Sequence, residues 1–328
     1  MNIYDIAKKA NVSIATISRV LNNSDNVSEK TRKKVMDIIE ELDYKPNEIA
    51  RGLATNSTKT IGIMVPDIRN PFHSESAFVL EQRLNLNGYS SILCNTTEDV
   101  DKKVSYLKLL YSKKVDGIIT VGASFGEEKF IDELREINKF IPVIMINNLV
   151  EGIISIYCDE EEGIDESIYH LKKKGYRFPM YVVDKKVFLT RACINKLSGF
   201  KKAMKKYYPN EQIIIKEYEE NERSYFKLLE FIKENGKIDA IQFEKDTSAI
   251  RFMKVAISEG VSIPKQLGIV GFDNIDITDF TQKKISTIDH KINEHCNKAV
   301  NLLLSHIDGK KVDIINKIEP KFIPKETT

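Results

Sequence analysis

Two kinds of chemistry are open to this chain, and only one has its residues at a usable spacing. For catalysis, the carboxylates Asp116 and Asp273 stand isolated and Ser13 has no base partner. No glycine-rich phosphate cradle or cluster of metal ligands appears. Cys94, Cys158, Cys193 and Cys296 lie far apart, and none pairs with a histidine at ligand spacing, so they read as buried thiols in a reducing compartment. Neither an enzyme nor a cofactor is expected. Base reading is a different matter. Ile14, Ala15, Thr16, Ser18 and Arg19 fall near the exposed start of a short helix, where a recognition helix meets base edges. A small helical subdomain of another purpose fits the same spacing.

The elements that would position these residues are legible around them. Ile6, Ala7 and Ala10 make an apolar face on a first helix. Val12, Ile17, Val20 and Leu21 can close against it, with Ser13 capping the second helix through its hydroxyl. Ser28-Glu29-Lys30-Thr31 starts a third helix whose Val35, Ile38, Ile39 and Leu42 complete a miniature core. Tyr44-Lys45-Pro46-Asn47 then breaks the helix, and Asn47 caps a short segment through Leu53. Ile49, Ala50, Leu53 and Ala54 give that segment an apolar edge, but it is too short to be stable alone. It needs its copy in a second subunit, together with DNA. Two leucines side by side would then wedge between bases in a widened minor groove and bend the duplex. The alternative is an ordinary interdomain linker with a helical turn.

Charge limits how such a head can bind. The chain has 328 residues, enough for one small domain and a large core in two lobes, but a net charge of only +2. Affinity for nucleic acid must therefore be local. Lys8, Lys9, Arg19, Lys30, Arg32, Lys33, Lys34, Lys45 and Arg51 crowd the head, and Asp37, Glu40, Glu41, Asp43 and Glu48 offset most of them. Each phosphate neutralised loses roughly 0.9 log units of affinity per decade of salt. One such head binds weakly, and dimerisation joins two half-sites. No export signal opens the chain and no apolar run reaches membrane-spanning length, which points to the cytoplasm and no membrane partner.

After Ser57-Thr58-Lys59 strands and helices alternate. Thr60 to Val65, Ser90 to Asn95, Gly117 to Val121 and Val143 to Asn147 read as strands of a first parallel sheet. Helices are expected around Phe78 to Leu84, from Val104 to Tyr111 and from Lys129 to Glu136. A second α/β unit begins near Glu161, with strands at Met180 to Val183, Ile213 to Tyr218, Ala240 to Phe243 and Gly268 to Phe272. Its helices run from Gly163 to Lys172, around Phe200, Ala203 and Met204, from Tyr225 to Ile232 and from Thr247 to Glu259. Open parallel sheets bind ligands beyond the carboxyl ends of their strands, so Asp67, Phe72, Asn95, Thr96 and Asn147 are positional candidates. Turns need polar residues at the same places. The last residues are expected to fray.

Over nearly its whole length the chain resembles bacterial transcriptional regulators of the lac-repressor and purine-repressor family. The resemblance is carried by Val12-Ser13 through Arg19-Val20-Leu21-Asn22, by Tyr44-Lys45-Pro46-Asn47 with Ala50-Arg51-Gly52-Leu53, and by Pro66-Asp67-Ile68-Arg69-Asn70-Pro71-Phe72. Val115-Asp116-Gly117-Ile118-Ile119 and Val270-Gly271-Phe272-Asp273-Asn274 extend it. It implies a helix-turn-helix DNA-binding domain over 1–58 with a hinge helix at 47–54, and an effector-binding and dimerisation core over 59–328. The core would be a two-lobed α/β structure like a periplasmic binding protein. Its first lobe would span about 59–158 plus 289–320, with the helix from Glu294 to Ile307 returning to it, and its second lobe about 159–288 plus 321–328. The three crossovers would lie near Cys158-Asp159, near Ile288-Asp289 and just before Lys321. Ile14, Ala15, Thr16 and Arg19 would face the major groove, and Leu53 would be the minor-groove wedge in a hinge containing Asn47, Ala50, Arg51 and Ala54. The Ile14-Ala15 pair most resembles the catabolite-control subgroup and implies a palindromic operator with a central CG step.

In the cleft the sequence departs from the family pattern. Lys196 stands ahead of Gly199-Phe200 where sugar- and nucleobase-binding relatives usually carry arginine, and lysine lacks the flat guanidinium fork. Asn147-Asn148 replaces an Asp-Arg pair, Gly175-Tyr176 replaces a Gly-His pair, and Pro324 replaces an arginine. Asp273 matches the family's ligand-binding aspartate and Asp246 an aspartate at the cleft lip. The implied pocket of Phe72, Asn147, Lys196, Asp246 and Asp273 suits a small polyol, sugar or sugar phosphate. Asn293 and Asn301 stand where catabolite-control relatives meet a serine-phosphorylated phosphocarrier protein, and asparagine supplies no cationic fork, so that partner is not expected. The favoured function is a dimeric repressor answering to a small polar ligand. A corepressor-dependent or catabolite-control-type regulator is the first alternative. A solute-binding protein is the second, disfavoured by the DNA head.

Overall fold

In the computed structural model, which describes residues 3–21, 26–42, 57–185 and 190–328, the head is three helices. They are α1 (Ile3–Ala10), α2 (Ile14–Leu21) and α3 (Glu29–Glu41). Asn11 turns the chain between the first two in the left-handed region at φ 52°, where asparagine is tolerated better than most side chains. Ser13 Oγ accepts the Thr16 amide at 3.1 Å to start α2, and Ser28 Oγ accepts the Thr31 amide at 3.3 Å to start α3. Ile6, Ala10, Ile17, Val20, Val35 and Ile38 meet in one buried cluster, edged by Val12, Leu21, Ile39 and Leu42. The helical spacing of those residues predicted this core. A fully buried aliphatic side chain contributes about 1.5–3 kcal/mol, a large share of the stability of so small a unit. The predicted hinge helix at 47–54, with Asn47, Ala50, Arg51, Leu53 and Ala54, lies outside the described residues.

The chain divides into two units at Thr58 and Lys59. In the second, β1 (Thr60–Val65), β2 (Ser90–Asn95), β3 (Gly117–Val121), β4 (Val143–Ile146), β5 (Ile154–Cys158) and β11 (Ile315–Ile318) form a parallel sheet in the order β11-β5-β4-β3-β1-β2. The near-continuous apolar runs of β1, β3 and β4 follow from burial on both faces. The helices of this part are α4 (Pro71–Leu86), α5 (Val100–Ser112), α6 (Glu128–Asn138) and the late α11 (Ile292–Ile307). The last returns to pack Cys296, Ala299, Val300 and Leu303 into the same core as Phe72, Leu80 and Leu84.

A second parallel sheet has the order β7-β6-β8-β9. Its strands are β6 (Pro179–Asp184), β7 (Ile214–Tyr218), β8 (Ala240–Phe243) and β9 (Gly268–Val270), with α7 (Glu160–Lys173), α8 (Arg191–Tyr207), α9 (Glu222–Asn235) and α10 (Asp246–Ser258) around it. The chain passes between the sheets from β5 to α7, from β10 (Thr287–Asp289) to α11, and from β11 to β12 (Lys321–Ile323). β10 and β12 pair antiparallel beside the second sheet.

Four of these strands escaped the sequence reading. β10 and β12 have three residues each, and β11 alternates exposed and buried residues instead of forming an apolar run. β5 begins only eight positions after β4 ends and carries Ser155 and Tyr157 among its apolar residues. The expected fraying of the carboxyl end is also corrected. Thr327 is fully buried, and its hydroxyl donates to the Ile269 carbonyl at 2.6 Å and accepts the Ser286 amide at 2.8 Å. Among the described residues no helix is long and apolar enough to cross a membrane.

Candidate nucleic-acid interface and ligand cleft

On the head, packing divides α2 into two faces. Ile17 and Val20 are buried, while Ile14, Ala15 and Arg19 are exposed and Thr16 is half-buried. The 39% exposure of Ile14 leaves an apolar side chain facing solvent next to the cap, which core packing does not require. The Thr16 hydroxyl lies 2.9 Å from Ser13 Oγ, so its orientation is set locally. Ser18 belongs to the same helix, with its side chain outside the described atoms. Tyr4, Lys8, Asn11, Ser13 and Ile14 border a shallow depression beside the start of α2.

Between the two sheets of the larger unit lies a cleft of about 1160 Å³. Asp67, Arg69, His73, Glu98, Ser124, Glu127 and Asn148 line it from the first sheet, and Asp184, Arg191, Glu220, Lys245 and Arg251 from the second. Most of the first group follow the carboxyl ends of strands. Asn70 caps α4 by accepting the Phe72 amide at 3.1 Å, and Pro71 occupies the first turn, where its missing N–H costs nothing. The Arg69 guanidinium grips Asp67 through Nε at 2.9 Å and Nη2 at 2.7 Å, and this holds the Asp67 carboxyl below its usual range. Burial pushes the His73 imidazole down and favours its neutral form.

The five residues proposed from sequence for the pocket sit behind this lining. Among the described lining residues none of the five appears, yet three are sequence neighbours of residues that do line the cleft. Phe72, between Pro71 and His73, is 5% exposed and stacks on His290 with ring centroids 4.9 Å apart. Asn147, beside Asn148, is buried at φ 61° with its Oδ1 unpartnered. Asp246, between Lys245 and Thr247, is fully buried and not at a lip. It accepts the Thr287 hydroxyl at 2.6 Å and the Ile275 amide at 3.0 Å. Burial, then the nearby Asp273, pushes its carboxyl well up. Lys196 is buried over the Phe272 ring at 3.6 Å and donates to the Glu244 carbonyl at 2.8 Å. Its charge is used inside the wall, unlike that of an arginine reaching a ligand. Asp273 adopts φ 110° and lies 3.3 Å from His290 Nδ1, so Phe72 and Asp273 meet at one imidazole in the β10–α11 crossover.

Several groups escaped sequence reasoning. His290 and His295 pack edge to face at 5.1 Å, and burial drives the His295 imidazole down to about 3. Lys103 is wholly buried among Glu98, Glu127 and the Ser124 carbonyl, where an amphipathic helix would lead one to expect an exposed lysine. Arg191 reaches Glu160 at 3.4 Å and covers the Tyr157 ring at 4.6 Å. A lone cation has no periodic signal, so only the fold reveals these pairings. The four cysteines are free and buried, and desolvation pushes the thiols of Cys94 and Cys193 up to about 11, making them inert near neutrality. Among the described residues no group of three or more histidine, cysteine and acidic side chains is placed to hold a metal ion.

Comparison with known proteins places the chain in a family. Residues 2–47 match the family model for bacterial regulatory proteins of the lacI family, and residues 168–328 match a periplasmic binding protein-like domain. An HTH-type transcriptional regulator of Lachnoclostridium phytofermentans is 34% identical, covering 100% of this chain and 99% of its own. Catabolite control protein A of Staphylococcus xylosus is also 34% identical, covering 98% of this chain and 96% of its own. The structure of a lac repressor dimer bound to operator and the anti-inducer ONPF superposes with TM-score 0.88 at 21% identity, over 100% of this chain and 98% of that one. A periplasmic binding protein/LacI transcriptional regulator from Alkaliphilus metalliredigens, complexed with D-xylulofuranose, gives TM-score 0.72 at 31% identity over 82% of this chain and 99% of its own. Full-length coverage that includes the three-helix head sets aside the solute-binding alternative. The chain belongs to the lacI family of bacterial regulatory proteins, as a DNA-binding transcriptional regulator with a helix-turn-helix head and a two-lobed α/β core.

Proposed function

We propose that this regulator is a homodimeric repressor of a palindromic operator, released or recruited by a small sugar-like ligand in the cleft between its sheets. The observation that carries the reading is the division of α2, with Ile17 and Val20 buried and Ile14, Ala15 and Arg19 left facing solvent. In this account Ile14, Ala15, Thr16, Ser18 and Arg19 read base edges in the major groove. Asn47, Ala50, Arg51, Leu53 and Ala54 form the hinge, with Leu53 as the wedge in the minor groove. In this account the core spans 59–328 and joins the subunits; the solved lac repressor, whose fold this chain shares, is a dimer bound to operator.

A ligand controls such a protein only by binding its two states with different affinity. Closing the cleft would shift the lobes about the three crossovers, and the paired hinge segments would order or melt in response. Ligand sensing is supported by the size of the cleft and by the sugar in the Alkaliphilus structure. A phosphocarrier partner is disfavoured, because Asn293 and Asn301 present two exposed neutral side chains on α11 and no cation for a phosphate. The protein would act in the cytoplasm, on the nucleoid.

Sedimentation of the purified chain with a duplex carrying both half-sites tests the assembly. The reading predicts two chains per palindrome and a much weaker complex on a single half-site. One chain per duplex, with equal affinity for both duplexes, would refute it.

A further inference from the structure

We propose that Ser124, Glu127 and Asn148 form a hydroxyl-reading subsite for an uncharged, polyhydroxylated ligand, and that phosphate esters of such a ligand are excluded. This rests on the ligand-sensing reading of the cleft and narrows it to one chemical class.

All three residues line the cleft, and each carries a buried polar atom with no hydrogen-bond partner: Ser124 Oγ, Glu127 Oε2 and Asn148 Nδ2. Their orientations are fixed from behind. The Leu149 amide donates to Asn148 Oδ1 at 2.9 Å, which leaves the amide nitrogen as the vacant end. Lys103 Nζ donates to Glu127 Oε1 at 2.6 Å and to the Ser124 carbonyl at 2.6 Å. A single buried ammonium thus holds the loop after β3 and occupies one carboxylate oxygen of Glu127, leaving the second without a partner. Asn148 itself is 3% exposed. Unpaired buried polar groups are costly, and a ligand that pairs them recovers that cost.

The vacancies select chemistry. Glu127 Oε2 can only accept, Asn148 Nδ2 can only donate, and a serine hydroxyl does both. Sugar hydroxyls satisfy all three, whereas a phosphate dianion has no proton for Glu127 and meets it charge to charge. The strongest partners for a phosphate are unpaired cationic forks. Among the described lining residues each cation already faces a carboxylate. Arg69 is held by Asp67, Arg191 by Glu160, and Arg251 by Glu220. Lys245 lies among Asp184 at 3.5 Å, Glu220 at 3.1 Å and Glu244 at 3.9 Å. A dianion would have to break one of these pairs and strand its carboxylate.

Calorimetry on the full chain tests this with D-ribose, D-xylulose and cellobiose against ribose 5-phosphate and xylulose 5-phosphate. We expect at least one free sugar to bind and a phosphate ester to bind about a hundredfold more weakly or not at all. Ser124→Ala removes only an atom without a protein partner, and Asn148→Asp keeps the acceptor for Leu149 while deleting the donor. Each should weaken the free sugar about tenfold, with the ligand-free melting point read first as a check on folding. Unchanged sugar affinity in both variants would overturn the subsite. An ester that binds as tightly as its sugar would overturn the exclusion. So would ester binding lost on Lys185→Ala/Lys186→Ala, since those lysines follow the cleft-lining Asp184 in sequence. Silence from every sugar and ester would overturn the ligand-sensing reading itself, a result distinct from the others.

Discussion

Replacing Glu244 by glutamine should flatten the dependence of stability on pH. Glu244 follows β8 with its side chain buried, and its Oε1 accepts the Tyr218 hydroxyl at 3.0 Å and the Ser248 hydroxyl at 3.3 Å. Its Oε2 has no partner. Burial pushes the carboxyl up from 4.5 to about 7, against the pull of Lys245. A carboxyl raised on folding holds its proton more tightly in the folded chain than in the unfolded one. Its contribution is therefore full below about pH 4.5 and is lost as pH rises through about 7. At about 1.4 kcal/mol per pH unit across that window, the contribution falls by about 2–3 kcal/mol between pH 5 and pH 8. Glutamine has no proton to lose and keeps an oxygen for Tyr218. Urea unfolding of both proteins followed by circular dichroism at pH 5, 6, 7 and 8 measures the effect. The variant should gain about 2–3 kcal/mol relative to the parent over that range. Parallel curves would refute the reasoning, because they would mean that Glu244 stays ionised in the folded wall of the cleft.

Three further substitutions probe other parts of the account. A Cβ at Gly199 would lie 2.8 Å from the Glu161 Cα, so Gly199→Ala should push α7 and α8 apart and cost about 1–3 kcal/mol, visible as a lower melting temperature. An unchanged melting temperature would show that the helices have room to spare. Arg19→Ala should relax operator preference at one base pair by about 1–3 kcal/mol, read from binding to a set of single-substitution duplexes, and an unaltered preference profile would remove it from base reading. Leu53→Ala should weaken specific binding far more than nonspecific binding in the same titrations. Equal losses would count against a minor-groove wedge.

How much of this was legible in the sequence depended on whether packing or pairing carried the signal. The head core was readable because Ile6, Ala10, Ile17, Val20, Val35 and Ile38 must all face inward at helical spacing, and they do. Long apolar strands such as β1 and β3 were readable for the same reason. Short or alternating strands were not, since Ile315 to Ile318 owes its place to pairing with β5 and not to its own pattern. In the cleft, the residues singled out from sequence and those that line the opening share turns but not positions: Phe72 and Asp246 are buried while His73 and Lys245 line the opening. Which of two adjacent residues faces a cleft at a strand end or helix start depends on local backbone angles, such as the φ of 61° at Asn147. Lys103 and Arg191 were invisible for another reason, because their carboxylate partners Glu127 and Glu160 lie 24 and 31 positions away in the chain.

The central claim is that paired heads read one symmetric DNA sequence. Selecting fragments of the source genome with the purified full-length protein, and sequencing those retained, tests it most directly. The account predicts enrichment of a single inverted repeat, with a CG step at its centre. Retained fragments with the same sequence composition as the input would contradict it.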